Sequence, residues 1–194
     1  MFLLKFLTYK TSKAEGFPYF VKKVCPFDIL ALVGLIAVIF ASFTEDSLPI
    51  GRLVFAYVLL VFSAVSADMD CQTTWVYSWL LYPPIIYGVA VCVVRLFTGQ
   101  FVFSVDTVFE LLPLVFTILT IKTRGFADTL LMIGYCLYGL LYGNPVTTLL
   151  GFLIGYVIQA CLRIWKRKYK GKRLPFIPAL FVGFVLSEMY FGRK

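Results

Sequence analysis

From Thr129 to Leu162 no side chain is charged, and the only break in that stretch is the turn signal Gly143-Asn144-Pro145. Uncharged runs also cover Ile29–Thr44, Leu53–Ala67 and Cys71–Val94. Of the 194 residues, 61% are hydrophobic and 14% charged, where a soluble domain carries about 25% charged residues. A chain this short leaves too much of its surface exposed to hide such runs in one aqueous core, so lipid is the expected solvent. In hydrocarbon an open sheet leaves its edge hydrogen bonds unmade, and barrel strands alternate polar and apolar residues. Unbroken runs therefore predict helices, and the expected fold class is an all-α integral membrane bundle.

Residues 1–26 hold Lys5, Lys10, Lys13, Lys22 and Lys23 among aromatics. They read as a basic interfacial N-terminal segment, a short amphipathic helix on the headgroups. The start is too polar to supply the apolar core of a cleavable signal. Residues 27–194 read as the transmembrane helix bundle, with spans over about residues 28–43, 50–67, 75–97, 106–121, 126–142, 146–165 and 175–191. Pro83-Pro84 is expected to kink the third, because proline removes a helix donor. Several spans fall below ~20 residues, which sets the count at six to seven. With seven spans, fourteen of the eighteen Lys and Arg lie on the side of the N-terminus, so the N-terminus is expected in the cytoplasm.

The net charge of +8 sits between the apolar runs, as topology requires, and does not point to nucleic acid. The five cysteines are scattered without a Cys-x-x-Cys pair, and there is no histidine. No metal and no cofactor are expected, and no Ser or Cys nucleophile has a His base. That leaves ten acids. Glu15, Asp28, Glu45, Asp46 and Asp106 stand at span ends or in loops, as caps and turns do. Glu110 and Glu188 fall inside spans, as partners for a buried cation or for a substrate. Asp70 is expected in a loop without Lys or Arg after the second span. Asp128 opens the fifth, behind Gly125 and Ala127, whose small size admits a close neighbour. Both acids fall on the cytoplasmic side. Two carboxylates on one face are the minimum set for aspartic-protease chemistry, in which one proton is shared and water is activated. Two helix caps would produce the same pattern.

Three motifs go further. Asp70-Cys-Gln-Thr-Thr-Trp-Val-Tyr-Ser-Trp-Leu-Leu-Tyr-Pro83 resembles the first catalytic motif of the type IV prepilin peptidases and archaeal preflagellin peptidases, which are GxGD-type intramembrane aspartic proteases. Gly125-Phe-Ala-Asp128 resembles their Gly-x-Gly-Asp motif, and Pro175-Phe-Ile-Pro178 the Pro-Phe-x-Pro that opens their last helix. The resemblance covers about residues 50–190. It departs at Val76-Tyr77-Ser78, at Ala127 and at Leu130. It implies an aspartic endopeptidase of the short, cleavage-only type with Asp70 and Asp128 catalytic and Gly125, Ala127, Pro175 and Pro178 supporting. The implied substrate is a prepilin-like protein with a basic leader, cut at the cytoplasmic face of the plasma membrane. Partners would be that substrate and the bilayer, and a homo-oligomer is compatible with the bundle.

Asp68 competes with Asp70 for the first role, although the spacing to Trp79, Leu80 and Pro83 favours Asp70. The leader's positive charge is expected to meet Asp68 or lipid headgroups. The basic block Lys166–Arg173 is expected to anchor topology on anionic lipid. Two rivals stand beside the peptidase. One is a small-molecule transporter or substrate-binding subunit using Glu110, Glu188 and a break at Pro83-Pro84. The other is an inactive scaffold of peptidase-like fold.

Overall fold

The computed structural model describes residues 1–16, 19–21, 24–43, 50–100, 105–119, 125–142, 145–165 and 175–191, with backbone alone for 41–43, 105–110, 145–146 and 191. Among the described residues the regular structure is entirely helical. The helices are α1 (Phe2–Ala14), α2 (Pro26–Phe43), α3 (Ile50–Thr73), α4 (Tyr82–Phe97), α5 (Val105–Leu119), α6 (Phe126–Tyr142), α7 (Pro145–Trp165) and α8 (Ile177–Phe191), with a 3-10 turn over Ser78–Leu80. By length and composition, Ile50–Thr73 and Thr147–Trp165 are long and apolar enough to cross a membrane. The other apolar helices are shorter.

α3 is the innermost helix. Phe55, Ala56, Leu59, Ala64, Val65, Ala67 and Met69 have no exposed surface, and α2, α4, α6 and α8 all pack on it. Tyr135 of α6 stacks on Phe184 of α8, with ring centroids 4.2 Å apart and planes 7° from parallel. α7 and α8 approach most closely, because glycine faces glycine: a Cβ at Gly183 would meet the carbonyl oxygen of Gly151 and the amide nitrogen of Gly155. Small residues at such a crossing let two backbones touch. On the outside, apolar stripes face away from the bundle at helical spacing, as Ile29, Leu32, Ile36 and Phe40 do on α2.

Two boundaries differ from expectation. The second span does not stop at Ala67; α3 continues to Thr73, so Asp70 lies in its last turns and not in a loop. Polar side chains finish the helix: Gln72 Nε2 donates to Asp68 Oδ1 at 3.1 Å, and Thr73 Oγ1 to the Met69 carbonyl at 2.9 Å. The next helix starts at Tyr82, not Trp75, which places Pro83-Pro84 in its first turn. There the missing N–H groups would have lacked helical partners anyway, so the prolines start a helix and do not kink one. Among the described helices the interior proline is Pro113 of α5.

The basic N-terminal segment is a helix docked on the bundle. Lys5 Nζ lies 2.6 Å from Asp28 Oδ2, with the Lys5 side chain 1% exposed. Asp28 also caps the start of α2, accepting from the Cys25 amide at 2.9 Å, so it is an ion-pair partner and not a solvated cap. Lys22, Lys23, Glu45, Asp46, Lys122, Arg124, the block Lys166–Arg173, Arg193 and Lys194 lie outside the described residues, as do the side chains of Asp106 and Glu110.

Candidate active site

Asp70 is buried, with 7% of its surface exposed. Its Oδ2 accepts from the main-chain amide of Ile177 at 3.1 Å. Ile177 is the first residue of α8, and Pro178 follows it without an N–H of its own. The first turn of any helix has amides without helical partners and carries positive partial charge. Asp70 therefore serves as a remote cap for α8. Asp128 stands in an equivalent electrostatic position on another helix, in the first turn of α6. That turn is opened by Gly125, whose carbonyl accepts from the Thr129 amide at 3.1 Å and from Thr129 Oγ1 at 3.2 Å.

Asp70 and Asp128 line one cleft of about 330 Å³, with Gly125, Phe126 and Ala127 on one side and Phe176 and Ile177 on another. The remaining wall is the segment Thr74–Ser78. Of the candidate residues, the structure thus brings four to one cleft: Asp70, Asp128, Gly125 and Ala127. Pro175 and Pro178 are outside the lining and flank the two residues that belong to it. Thr74, Trp75, Tyr77, Ser78 and Phe126 were not among the site residues expected from sequence. They lie inside or beside the quoted motifs, but nothing in their type marks them as lining. Thr74 ends α3 in a left-handed conformation, φ 56°, which is strained for a β-branched residue. Its amide donates to the Asp70 carbonyl at 2.9 Å, and Thr73 Oγ1 bridges to the amide and carbonyl of Trp75. Strain and bonds together turn the chain sharply after Asp70, so that residues 74–78 come back along the cleft.

Asp68 does not line this cleft. It is 3% exposed, accepts from Tyr19 Oη at 3.1 Å and bonds to Gln72. Asp68 is thus buried and bonded away from the cleft, against its expected role as a contact for positive charge there, while the alternative of lipid headgroups is untouched. Two positions along a helix turn side chains by about 200°, which sends Asp68 and Asp70 to opposite faces. On the wall, burial and then the nearby Glu15 carboxylate push the Tyr77 hydroxyl up to about 12.

The acid inside α8 belongs elsewhere. Glu188, 5% exposed, feels the charge of Arg52 and hydrogen-bonds Tyr138, and Arg52 Nε donates to Tyr138 Oη at 3.4 Å. This group joins α3, α6 and α8 near the ends opposite the cleft. Among the described residues no three His, Cys, Asp or Glu side chains come together as metal ligands would. Compared with models of known protein families, with curated proteins and with solved structures, the chain matches none.

Proposed function

We propose that this chain is a multi-pass membrane protein of six to seven spans, and that it works as an aspartic endopeptidase. Its substrate class is a prepilin-like protein whose short basic leader is removed at the cytoplasmic face of the plasma membrane. The observation that carries this reading is the shared cleft of Asp70 and Asp128, two carboxylates at the amino ends of two different helices. Outward apolar stripes and two helices of spanning length support the membrane setting.

In this mechanism one carboxyl is ionised and takes a proton from water, while the other is protonated and donates to the carbonyl of the scissile peptide. Water oxygen bonds to the carbonyl carbon, the C–N bond breaks, and the departing nitrogen receives the proton. A transporter site is less well supported, because Pro83-Pro84 begins a helix and Glu188 is engaged with Tyr138 beside Arg52.

The test is cleavage of a peptide carrying a basic leader, a glycine and an apolar helix, followed by mass shift with purified protein. Asp70→Asn and Asp128→Asn should each abolish cleavage while the protein stays folded. Full activity in Asp128→Asn would end the proposal, and an inactive but folded wild type would favour the scaffold.

A further inference from the structure

α1 carries its polarity the wrong way round for a helix in water. The side chains turned toward the bundle are Lys5, Thr8 and Ser12, all buried. Those turned outward are Phe2, 65% exposed, Leu3, 71% exposed, Phe6 and Leu7. At about 100° per residue, Lys10 and Lys13 fall on this same outward face, one to two turns further on. Both are exposed, and Lys10 Nζ lies 5.0 Å from the centre of the Phe6 ring. On the hidden face the one charge is already matched, since Lys5 pairs with Asp28 and also reaches Cys25 Sγ at 3.3 Å.

A face that is apolar at one end and cationic at the other fits one partner, the anionic surface of a bilayer. On such a surface Phe2, Leu3, Phe6 and Leu7 would enter the acyl boundary, and the two lysines would extend to the headgroups. Each lysine near such a surface contributes attraction that falls off within a Debye length.

The chain after α1 is fastened to the far end of α3. Tyr19, 1% exposed, donates to Asp68. The Gln72 side-chain amide pairs with the main chain of Phe20 in both directions, accepting from its N–H at 3.0 Å and donating to its carbonyl at 3.2 Å. Asp68 and Gln72 grip one side of the turn whose other side presents Asp70 to the cleft.

We propose that α1 is seated in anionic lipid and that this seating, passed through Tyr19 and Phe20 to Asp68 and Gln72, holds the last turn of α3 and positions Asp70. Asp68 and Gln72 are positioning residues in this scheme. It rests on the membrane setting and does not depend on peptidase chemistry.

Amide hydrogen exchange of the full chain tests it, in discs of phosphatidylcholine alone and in discs that include phosphatidylglycerol. Amides of residues 68–74 should exchange at least about fivefold more slowly on the anionic discs, the factor that one lysine near the surface supplies. Lys10→Glu/Lys13→Glu, or the milder Lys10→Gln/Lys13→Gln, should erase that difference. Tyr19→Phe/Gln72→Ala should erase it at residues 68–74 while α1 itself stays slowed. Inorganic phosphate added to phosphatidylcholine discs should slow nothing. Equal exchange on both discs, a difference that survives in the lysine or the clasp variants, or slowing by phosphate alone would overturn the proposal. None of these readouts uses cleavage, so an inactive protein would leave them intact.

Discussion

The amide of Ile177 donates to the carboxylate of Asp70 at 3.1 Å, across 107 residues of sequence. The bond ties the end of α3 to the beginning of α8, so the acid and the helix set each other's place. Removing a cap of this kind costs about 1 kcal/mol.

Asparagine keeps an oxygen that can accept from Ile177, whereas alanine keeps none. Asp70→Asn is therefore expected to unfold near the wild-type temperature and Asp70→Ala lower, by the equivalent of about 1 kcal/mol. Both should be inactive. Thermal unfolding in detergent beside the cleavage assay reads the two effects separately. If Asp70→Asn melts well below Asp70→Ala, the cap assignment fails.

Gly183→Ala should destabilise strongly for its size. Its Cβ would lie 2.7 Å from the Gly155 nitrogen and 3.2 Å from the Gly155 Cα. Backbone cannot swing aside, and overpacking of this kind costs about 1–3 kcal/mol. Gly34→Ala is the control, because its Cβ would meet only side-chain atoms of Leu60 and Val185, at 3.1–3.4 Å. Since α8 also carries the Ile177 amide, Gly183→Ala should reduce activity with stability. Equal melting temperatures for the two variants would contradict the close α7–α8 crossing.

The Arg52 and Glu188 pair should show the asymmetry of buried charges. Arg52→Met leaves Glu188 buried without the neighbouring cation and Glu188→Met does the reverse, each leaving a buried polar group short of a partner at a cost of about 1–3 kcal/mol. Arg52→Met/Glu188→Met removes both charges and should recover most of the loss. A double variant as unstable as the sum of Arg52→Met and Glu188→Met measured singly would show that the two side chains act independently.

Docking of α1 should fail in alkali. Burial acts to lower the Lys5 ammonium, but hydrogen bonds to Asp28 and Cys25 prevail and leave it raised above 10.5. A raised value means that the folded protein holds the proton more tightly than the unfolded chain. The stabilisation is thus complete below 10.5 and is lost as pH rises through the raised folded value. Proteolytic release of the N-terminal segment should stay low through neutral pH and climb only above that range. Lys5→Met should remove the alkaline step; a step of unchanged size would assign it to another group.

What could be read along the chain was what repeats along the chain. Uncharged runs such as Thr129–Leu162 determined helices and their approximate places, because a helix satisfies its backbone from its own neighbours and needs no distant partner. The motifs around Asp70 and Asp128 were legible too, since local spacing defines them. Only the tertiary structure decided that α3 runs past Asp70, because the local bonds of Gln72 and Thr73 are joined there by bonds from Tyr19, Phe20 and Ile177, far away in sequence. The same holds for Asp68, which its neighbourhood made a rival for the site and Tyr19 made a buried anchor. Pro83-Pro84 shows the other limit: the same two residues kink a helix interior or begin a helix, and the difference lies in where the preceding chain turns. Lys5, a basic residue in a basic segment, was indistinguishable from its neighbours until Asp28 came within 2.6 Å and took it out of solvent. A charge reveals its partner only when the fold closes the distance between them.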